Sequence, residues 1–377
     1  MQEEIVVKRV TRYEKDLTPN KSCNMLLGTA KVGLSTLIPM MKQIPNTYAV
    51  VVSRSNALSE CRTVEYRGHP ELNYELNPIL SKRPYESVDA LFNEGDVVII
   101  SSKDKEFEEL LFHSETNIIF SACREGLLTE YMPFLEKVDH PIIVISVDND
   151  DTIINRAKQL CNNRNVKFYR AIIHSVCSEM VYDKVNKKVI LIAEKDAEIV
   201  FPPELSYLEE KFKAEGFDEF FARIRLHFPE DENEYEIFKH AKVIDINAIH
   251  SLLTLPCYIR GLEQGRTVDE IASAPFDVFL SLDEAIDLAK KAHSEMFGML
   301  IENYGHCGQD FEAARFAHET RMIRFVKLLY TSNESVQRGI DLNNDVSINK
   351  LRYHIEYLNK VSEGGVKYYV EEITKLI

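Results

Sequence analysis

Met25-Leu26-Leu27-Gly28-Thr29-Ala30-Lys31-Val32-Gly33 is the stretch from which the fold is read. A short apolar run ends in a glycine turn, and residues 34–41 that follow have helical spacing. Strand, glycine turn and helix in that order open a nucleotide-binding βαβ unit. Gly28-x-Ala30-x-x-Gly33 is a variant of the GxGxxG fingerprint. Its first glycine permits a tight turn and its last permits close helix packing, because neither carries a Cβ. Ala30 keeps the backbone near a pyrophosphate seated on the amides that open the helix. An ordinary βα turn uses the same residues, so the pattern depends on its surroundings.

Those surroundings repeat the theme. Residues 48–52 form a second apolar run, and further runs follow at 97–100, 117–120 and 142–147, with helix-length polar segments between them. Short, fully apolar strands alternating with helices predict a parallel sheet covered on both faces. One more strand is expected at 166–173, and a hairpin over 179–200 in which 189–193 and 197–201 flank Glu194-Lys195-Asp196. Pro202-Pro203 breaks the pattern, and from Leu205 onward the spacing is almost entirely helical. The expected fold is α/β: a Rossmann-type, doubly wound, mainly parallel sheet over residues 1–201, then a mostly α-helical C-terminal domain over 202–377. Residues 1–24 read as a lead-in with an edge strand at 4–10.

Two strand ends carry candidate ligand-binding residues. Ser53-Arg54 closes the second strand, where an enzyme using NAD would usually place an acidic residue on the ribose hydroxyls. A hydroxyl and a guanidinium suit a 2′-phosphate, so NADP is favoured over NAD; a solvent-facing arginine is the plainer alternative. Asp148-Asn149 closes the 142–147 strand at the carboxyl edge of the sheet, where the Asn149 amide can donate to a developing alkoxide. Asp148-Asn149-Asp150-Asp151 reads equally well as a helix N-cap.

In the helical half, Lys242-Val243-Ile244-Asp245-Ile246-Asn247-Ala248-Ile249-His250 places an amine, an amide and an imidazole in an apolar segment. At about 100° per residue of α-helix, Asn247 lies roughly 140° and His250 roughly 80° around from Lys242, so all three can line one broad face. Polar groups buried among Val, Ile and Leu cost free energy unless each finds a partner, and a ligand site is one source of partners. A desolvated lysine has its pKa lowered toward neutrality, where it can give or take a proton.

The net charge of −15 argues against a nucleic-acid ligand, which would demand clustered Lys and Arg. The seven cysteines are scattered without a CxxC pair, as expected of apolar fillers in a reduced intracellular protein, and no metal site is expected. The acidic Met1-Gln2-Glu3-Glu4 start lacks the apolar core of a signal peptide, and no apolar run is long enough to span a membrane. A cytoplasmic location and a small-molecule partner are the expectation; the oligomeric state is not legible.

Lys242-x4-Asn247-x2-His250 resembles the motif of the polyol-specific long-chain dehydrogenases, the mannitol dehydrogenase and mannitol-1-phosphate dehydrogenase group. Residues 255–261 with Arg266-Thr267-Val268-Asp269-Glu270, and Ile145-Ser146-Val147-Asp148-Asn149, resemble further segments of that family, so the likeness covers roughly residues 24–355. The resemblance implies a Rossmann domain, a helical domain and an active site between them. It implies Lys242 as general acid/base, Asn149 and Asn247 as the oxyanion-binding pair, and His250 orienting the substrate oxygen. The reaction would be reversible hydride transfer between C4 of a nicotinamide and a polyol or ketose, often phosphorylated. This chain departs from the family at Ala30, at His174-Ser175 and after Arg324-Phe325, and the last two fall where the substrate pocket is shaped. A degenerate nucleotide- or sugar-binding module and a hexuronate-type keto acid reductase are the alternatives.

Overall fold

The computed structural model describes residues 22–44, 47–53, 58, 60–78, 97–103, 105–112, 116–123, 125–147, 151–175, 177–194, 196–214, 217, 223–304 and 311–375. The expected edge strand at 4–10 lies outside them. The chain divides into two compact units, one ending at Glu230 and one running from Asp231 to Ile377.

The strands of the first unit are β1 (Ser22–Leu27), β2 (Thr47–Ser53), β3 (Thr63–Tyr66), β4 (Tyr74–Pro78), β5 (Val97–Ser101), β6 (Thr116–Ser121), β7 (Ile142–Ser146), β8 (Val166–Arg170), β9 (Ile172–His174), β10 (Cys177–Asp183), β11 (Lys188–Ala193), β12 (Ala197–Val200) and β13 (Ile224–His227). A ten-stranded sheet runs β10-β11-β3-β4-β5-β2-β1-β6-β7-β8. Within it, neighbours along β5-β2-β1-β6-β7-β8 are all parallel. Numbered among themselves in chain order, these strands stand 3-2-1-4-5-6, the dinucleotide-binding arrangement. The order reverses between β1 and β6, which makes that gap the topological switch point.

The apolar runs are continuous because both faces of this sheet are covered. Leu26, Val51, Ile99, Phe120 and Ile145 pack on one face with Leu34, Leu37 and Ile38 from the helix after β1, whose last part is α1 (Ile38–Lys42). Leu27, Val52, Ile100, Ile119 and Val144 pack on the other, beneath α2 (Lys105–Leu111), α3 (Glu125–Leu135) and α4 (Asp151–Leu160).

Several elements depart from the sequence expectation. The run at 166–173 divides at Ala171: β8 extends the large sheet, and β9 joins a three-stranded sheet β13-β12-β9. The hairpin forms between β10 and β11, not across Glu194-Lys195-Asp196. Its turn is made by Asp183, whose carboxylate accepts from the Asn186 N–H (3.0 Å) and side-chain amide (2.7 Å), and by Lys187 at φ 52°. β12 belongs to the second sheet, antiparallel to β9 and parallel to β13. The first unit therefore runs past Pro202-Pro203 to Glu230: Leu205, Leu208 and Phe212, the last two on α5 (Tyr207–Ala214), are part of its core, and β13 pairs in its sheet.

The second unit is helical, with α6 (Glu232–Lys242), α7 (Ile249–Glu263), α8 (Val268–Ser273), α9 (Leu282–Tyr304), α10 (Phe311–Thr331), α11 (Asp345–Leu358) and α12 (Gly364–Thr374). α7 is buried on nearly every side, which explains its lack of a polar face. The Asp231 carboxylate caps α6 by accepting from the Glu234 N–H (2.9 Å). The Arg266–Glu270 segment that resembles the polyol dehydrogenases is a capping box opening α8, in which Thr267 and Glu270 each bond the other's backbone N–H. No helix among the described residues is long and apolar enough to cross a membrane.

Candidate functional site

At the end of β1 the Gly28 N–H donates to Val52 O (3.0 Å), and its φ of 89° is one that L side chains rarely adopt. A Cβ there would lie 2.8 Å from Cys123 Sγ and 3.5 Å from Ala122 O, so the chain passes tightly against the segment leaving β6. Gly33 is needed for a different reason, since a Cβ on it would stand 3.0 Å from Leu26 Cδ2. Ala30 is exposed, and its carbonyl accepts from the Leu34 N–H (3.1 Å) to begin the helix. Turn, close approach and helix start all sit at the switch point, as a dinucleotide cradle requires.

The helix that follows is π-helical over Gly33–Leu37 before it becomes α1. Pro39 has no N–H to offer the carbonyls one turn back, Leu34 and Ser35. Those carbonyls accept instead from buried tyrosine hydroxyls: Tyr66 donates to Leu34 O (2.9 Å) and Ser35 O (3.0 Å), and Tyr74 to Leu34 O (2.9 Å). β3 and β4, which no sequence pattern announced, thus brace the glycine-loop helix from behind.

The carboxyl edge of the sheet carries serines in register: Ser53 opposite Ser101, and Ser121 opposite Ser146. Ser53 is buried. Among the described residues Ser121 Oγ is buried without a hydrogen-bond partner, an orphan hydroxyl beside the switch point that the sequence did not single out. Arg54, Asp148 and Asn149 lie outside the described residues.

In the second unit, Lys242, Asn247 and His250 occupy one uninterrupted helical rod in which Val243–Ala248 is π-helical. This corrects the α-helical geometry expected from sequence. In an i→i+5 turn, residue 247 stands close above residue 242 instead of about 140° away. Lys242 and Asn247 are both half-buried. His250 lies against Phe325 (ring centroids 5.2 Å) and Phe276 (5.9 Å), and its Nε2 is buried without a partner among the described residues. Burial, reinforced by the positive charges of Lys350 and Arg338, pushes its pKa down to about 3, so the ring is neutral at pH 7.

Asp245, which no sequence argument assigned a role, is fully buried inside the π-helical turn. Its Oδ1 accepts from His293 Nε2 (3.0 Å) on α9; its Oδ2 accepts from His318 Nδ1 (2.6 Å) and Arg321 Nη1 (3.2 Å) on α10. Burial alone would raise its pKa, but the His318 and His293 imidazoles hold the carboxyl well below the usual carboxylate range. The signal was a lone carboxylate between Ile244 and Ile246: a buried charge needs partners, and here they come from helices far along the chain.

A depression of about 310 Å³ on the second unit is lined by His240, Ile244, Met296, Tyr353, Tyr357 and neighbouring residues. His240 Nδ1 and the Tyr357 hydroxyl share a hydrogen bond of 2.7 Å at its wall. Lys242, Asn247 and His250 do not line it.

No protein-family model matches the chain, and no curated protein matches it in sequence, so neither comparison returns the polyol dehydrogenases that the 242–250 stretch resembles. Solved structures are similar at low identity. The chain is similar to a 2-dehydropantoate 2-reductase from Geobacter metallireducens (TM-score 0.48, 11% identity, covering 94% of this chain and 100% of that one). It is similar to D-mandelate dehydrogenase with NADH (TM-score 0.45, 11% identity, 94% and 97%) and to NADP+-bound yersinopine dehydrogenase (TM-score 0.43, 12% identity, 95% and 91%). None of these three reaches a TM-score of 0.5, so the reading of the site rests on the chain's own residues.

Proposed function

We propose that the chain is an NAD(P)-dependent oxidoreductase that interconverts a hydroxyl and a carbonyl group by hydride transfer. The observation that carries this is the 3-2-1-4-5-6 parallel order with the Gly28 turn at its switch point. The residues there fit a dinucleotide: Gly28 makes the tight turn and Gly33 the close packing of the helix on Leu26, the helix begins directly after Ala30, and Ser121 Oγ is an orphan hydroxyl among the described residues. Ser53 and Arg54 suit the 2′-phosphate of NADP, with Asp148 a further cofactor contact. A nicotinamide held by these residues would supply the hydride in reduction and accept it in oxidation.

The remaining chemistry belongs to the protein. Lys242 gives a proton to the carbonyl oxygen as it gains charge in reduction and takes it back in oxidation. The Asn247 amide steadies that oxygen, a role that the family resemblance also gives Asn149. His250 is neutral and its Nε2 has no partner among the described residues, so it is available to orient a substrate hydroxyl. The resemblance around Lys242 favours a polyol or polyol phosphate with its ketose as the substrate pair.

A keto acid is the second reading. Lys350 and Arg338, the latter paired with Glu334 (3.0 Å), bear on His250, and a cation close to a substrate suits an anion, carboxylate or phosphate alike. The test is to follow NADPH and NADH oxidation by absorbance against ketoses, ketose phosphates and keto acids. Oxidation with any of them at about 1 per second or faster, an ordinary enzyme rate, supports the reading and names the class. Tight NADPH binding with no turnover across the panel would instead describe a nucleotide-binding module.

A further inference from the structure

The π-helical turn is an unusual conformation to find between a candidate acid/base and its candidate amide. A π-helix is rare because its i→i+5 bonding is disfavoured, and single π-turns persist inside α-helices where something holds them. Within Val243–Ala248 the holding group is Asp245. Both of its oxygens are engaged, one by α9 through His293 and one by α10 through His318 and Arg321. Phe297 fixes the two imidazoles in turn, stacked on His293 (ring centroids 5.5 Å, 13° between planes) and packed on His318 (4.7 Å).

The consequence follows from helix geometry. If the turn relaxed to α-helix, the residues after it would shift in register and Asp245 would swing out of its pocket, since each residue of register is worth about 100° of rotation. Two imidazoles and a guanidinium would then stay behind without their carboxylate, which is costly in a buried site. The Arg321 guanidinium on the same oxygen as His318 also marks this as a clamped carboxylate and not a cation site. Lys242 and Asn247 lie on either side of the clamped residue, five positions apart, and only the π register stacks them.

We propose that Asp245, clamped by His293, His318 and Arg321, is a positioning residue that locks the π-turn and so sets Lys242 and Asn247 on one face. The catalytic part of this rests on the function proposed above; the conformational part does not. The experiment pairs a crystal structure of Asp245→Asn with its steady-state kinetics, its pH–rate profile and its NADPH affinity. The expected result is an α-helical 243–248 segment, a kcat lowered at least about 100-fold with the basic limb of the profile displaced, and an NADPH Kd within about twofold of wild type. A π-turn that persists, or a kcat that stays within about threefold, overturns the proposal. If Asp245→Asn does not fold, Arg321→Gln, which keeps the carboxylate and both imidazoles, carries the same measurements with the same expected directions. Wild-type protein that turns over no substrate overturns the functional reading, whereas an active wild type with an unaffected Asp245→Asn overturns the positioning role alone.

Discussion

Gly28 and Cys123 lie so close that a Cβ on the glycine would stand 2.8 Å from the cysteine sulfur, and the glycine's φ is 89°. Two separate penalties therefore meet any substitution of Gly28. Gly28→Ala is expected to cost at least about 2 kcal/mol of stability and to weaken NADPH binding by tenfold or more. Adding Cys123→Ala removes the steric part and leaves about 1–2 kcal/mol of backbone strain. Urea titration of the single and double variants measures both parts; full recovery in the double variant would mean that the backbone conformation was not strained.

Tyr66 and Tyr74 satisfy the carbonyls that Pro39 cannot reach. Tyr66→Phe leaves Ser35 O without its tyrosine donor and is expected to cost about 1–3 kcal/mol, the range for a buried group that loses its partner. In a Pro39→Ala background the alanine N–H can serve the same carbonyls, so the Tyr66→Phe penalty shrinks. Equal penalties in both backgrounds would show the tyrosines and the proline to be uncoupled.

His354 is buried, its Nδ1 2.6 Å from Ser251 Oγ, and His250 is half-buried with its Nε2 enclosed; burial pushes both pKa values down to about 3. Unfolded histidines take up protons below about pH 6.5, whereas these folded ones do not until much lower, so the unfolded state binds more protons in between. Stability therefore falls on acidification from about pH 6.5, by up to about 1.4 kcal/mol per pH unit for each histidine. Asp245 adds loss below about pH 4, because its carboxyl is held below the usual range and its stabilisation fades as the unfolded carboxylate protonates. Melting temperatures measured from pH 7.5 to 4.5 read the slope, and His250→Phe should flatten it.

The same His250→Phe variant separates stability from function. Removing an imidazole whose Nε2 has no partner is expected to leave stability at pH 7 unchanged or slightly raised, while kcat/KM falls if His250 orients substrate. A loss of stability at pH 7 would contradict the orphan state of Nε2; unchanged kcat/KM would remove His250 from the site.

For the cofactor, Arg54→Ala is expected to weaken NADPH binding by about tenfold and NADH binding little, the difference being the lost partner of the 2′-phosphate. Fluorescence titration with each nucleotide decides it, and equal losses would refute the phosphate role.

The parallel half of the fold was legible because its strands are apolar on both faces: Val50, Val51 and Val52, and residues 97–100, have no other environment that suits them. Gly28 and Gly33 were legible because each answers to a local steric demand. β3, β4 and β13 were not, since they are only four or five residues long and carry polar residues among their apolar ones, TVEY, YELNP and IRLH. The β10–β11 hairpin was misplaced because Asp183 to Lys187 carries no glycine, and Glu194 to Asp196 looked like the better turn. In the helical unit the polar residues of 242–250 were visible one by one, but the π-turn was not, because its cause is Asp245 and the partners of Asp245 lie 48, 73 and 76 residues downstream, at His293, His318 and Arg321.

The central claim, a nicotinamide-dependent oxidoreductase with Lys242 as its acid/base, is tested most directly by comparing NADPH oxidation by wild type and Lys242→Ala on the best substrate of the carbonyl panel. Loss of the proton donor is expected to lower kcat by about 10²–10⁴-fold while the NADPH Kd stays within about twofold. A Lys242→Ala variant that oxidises NADPH at the wild-type rate would contradict it.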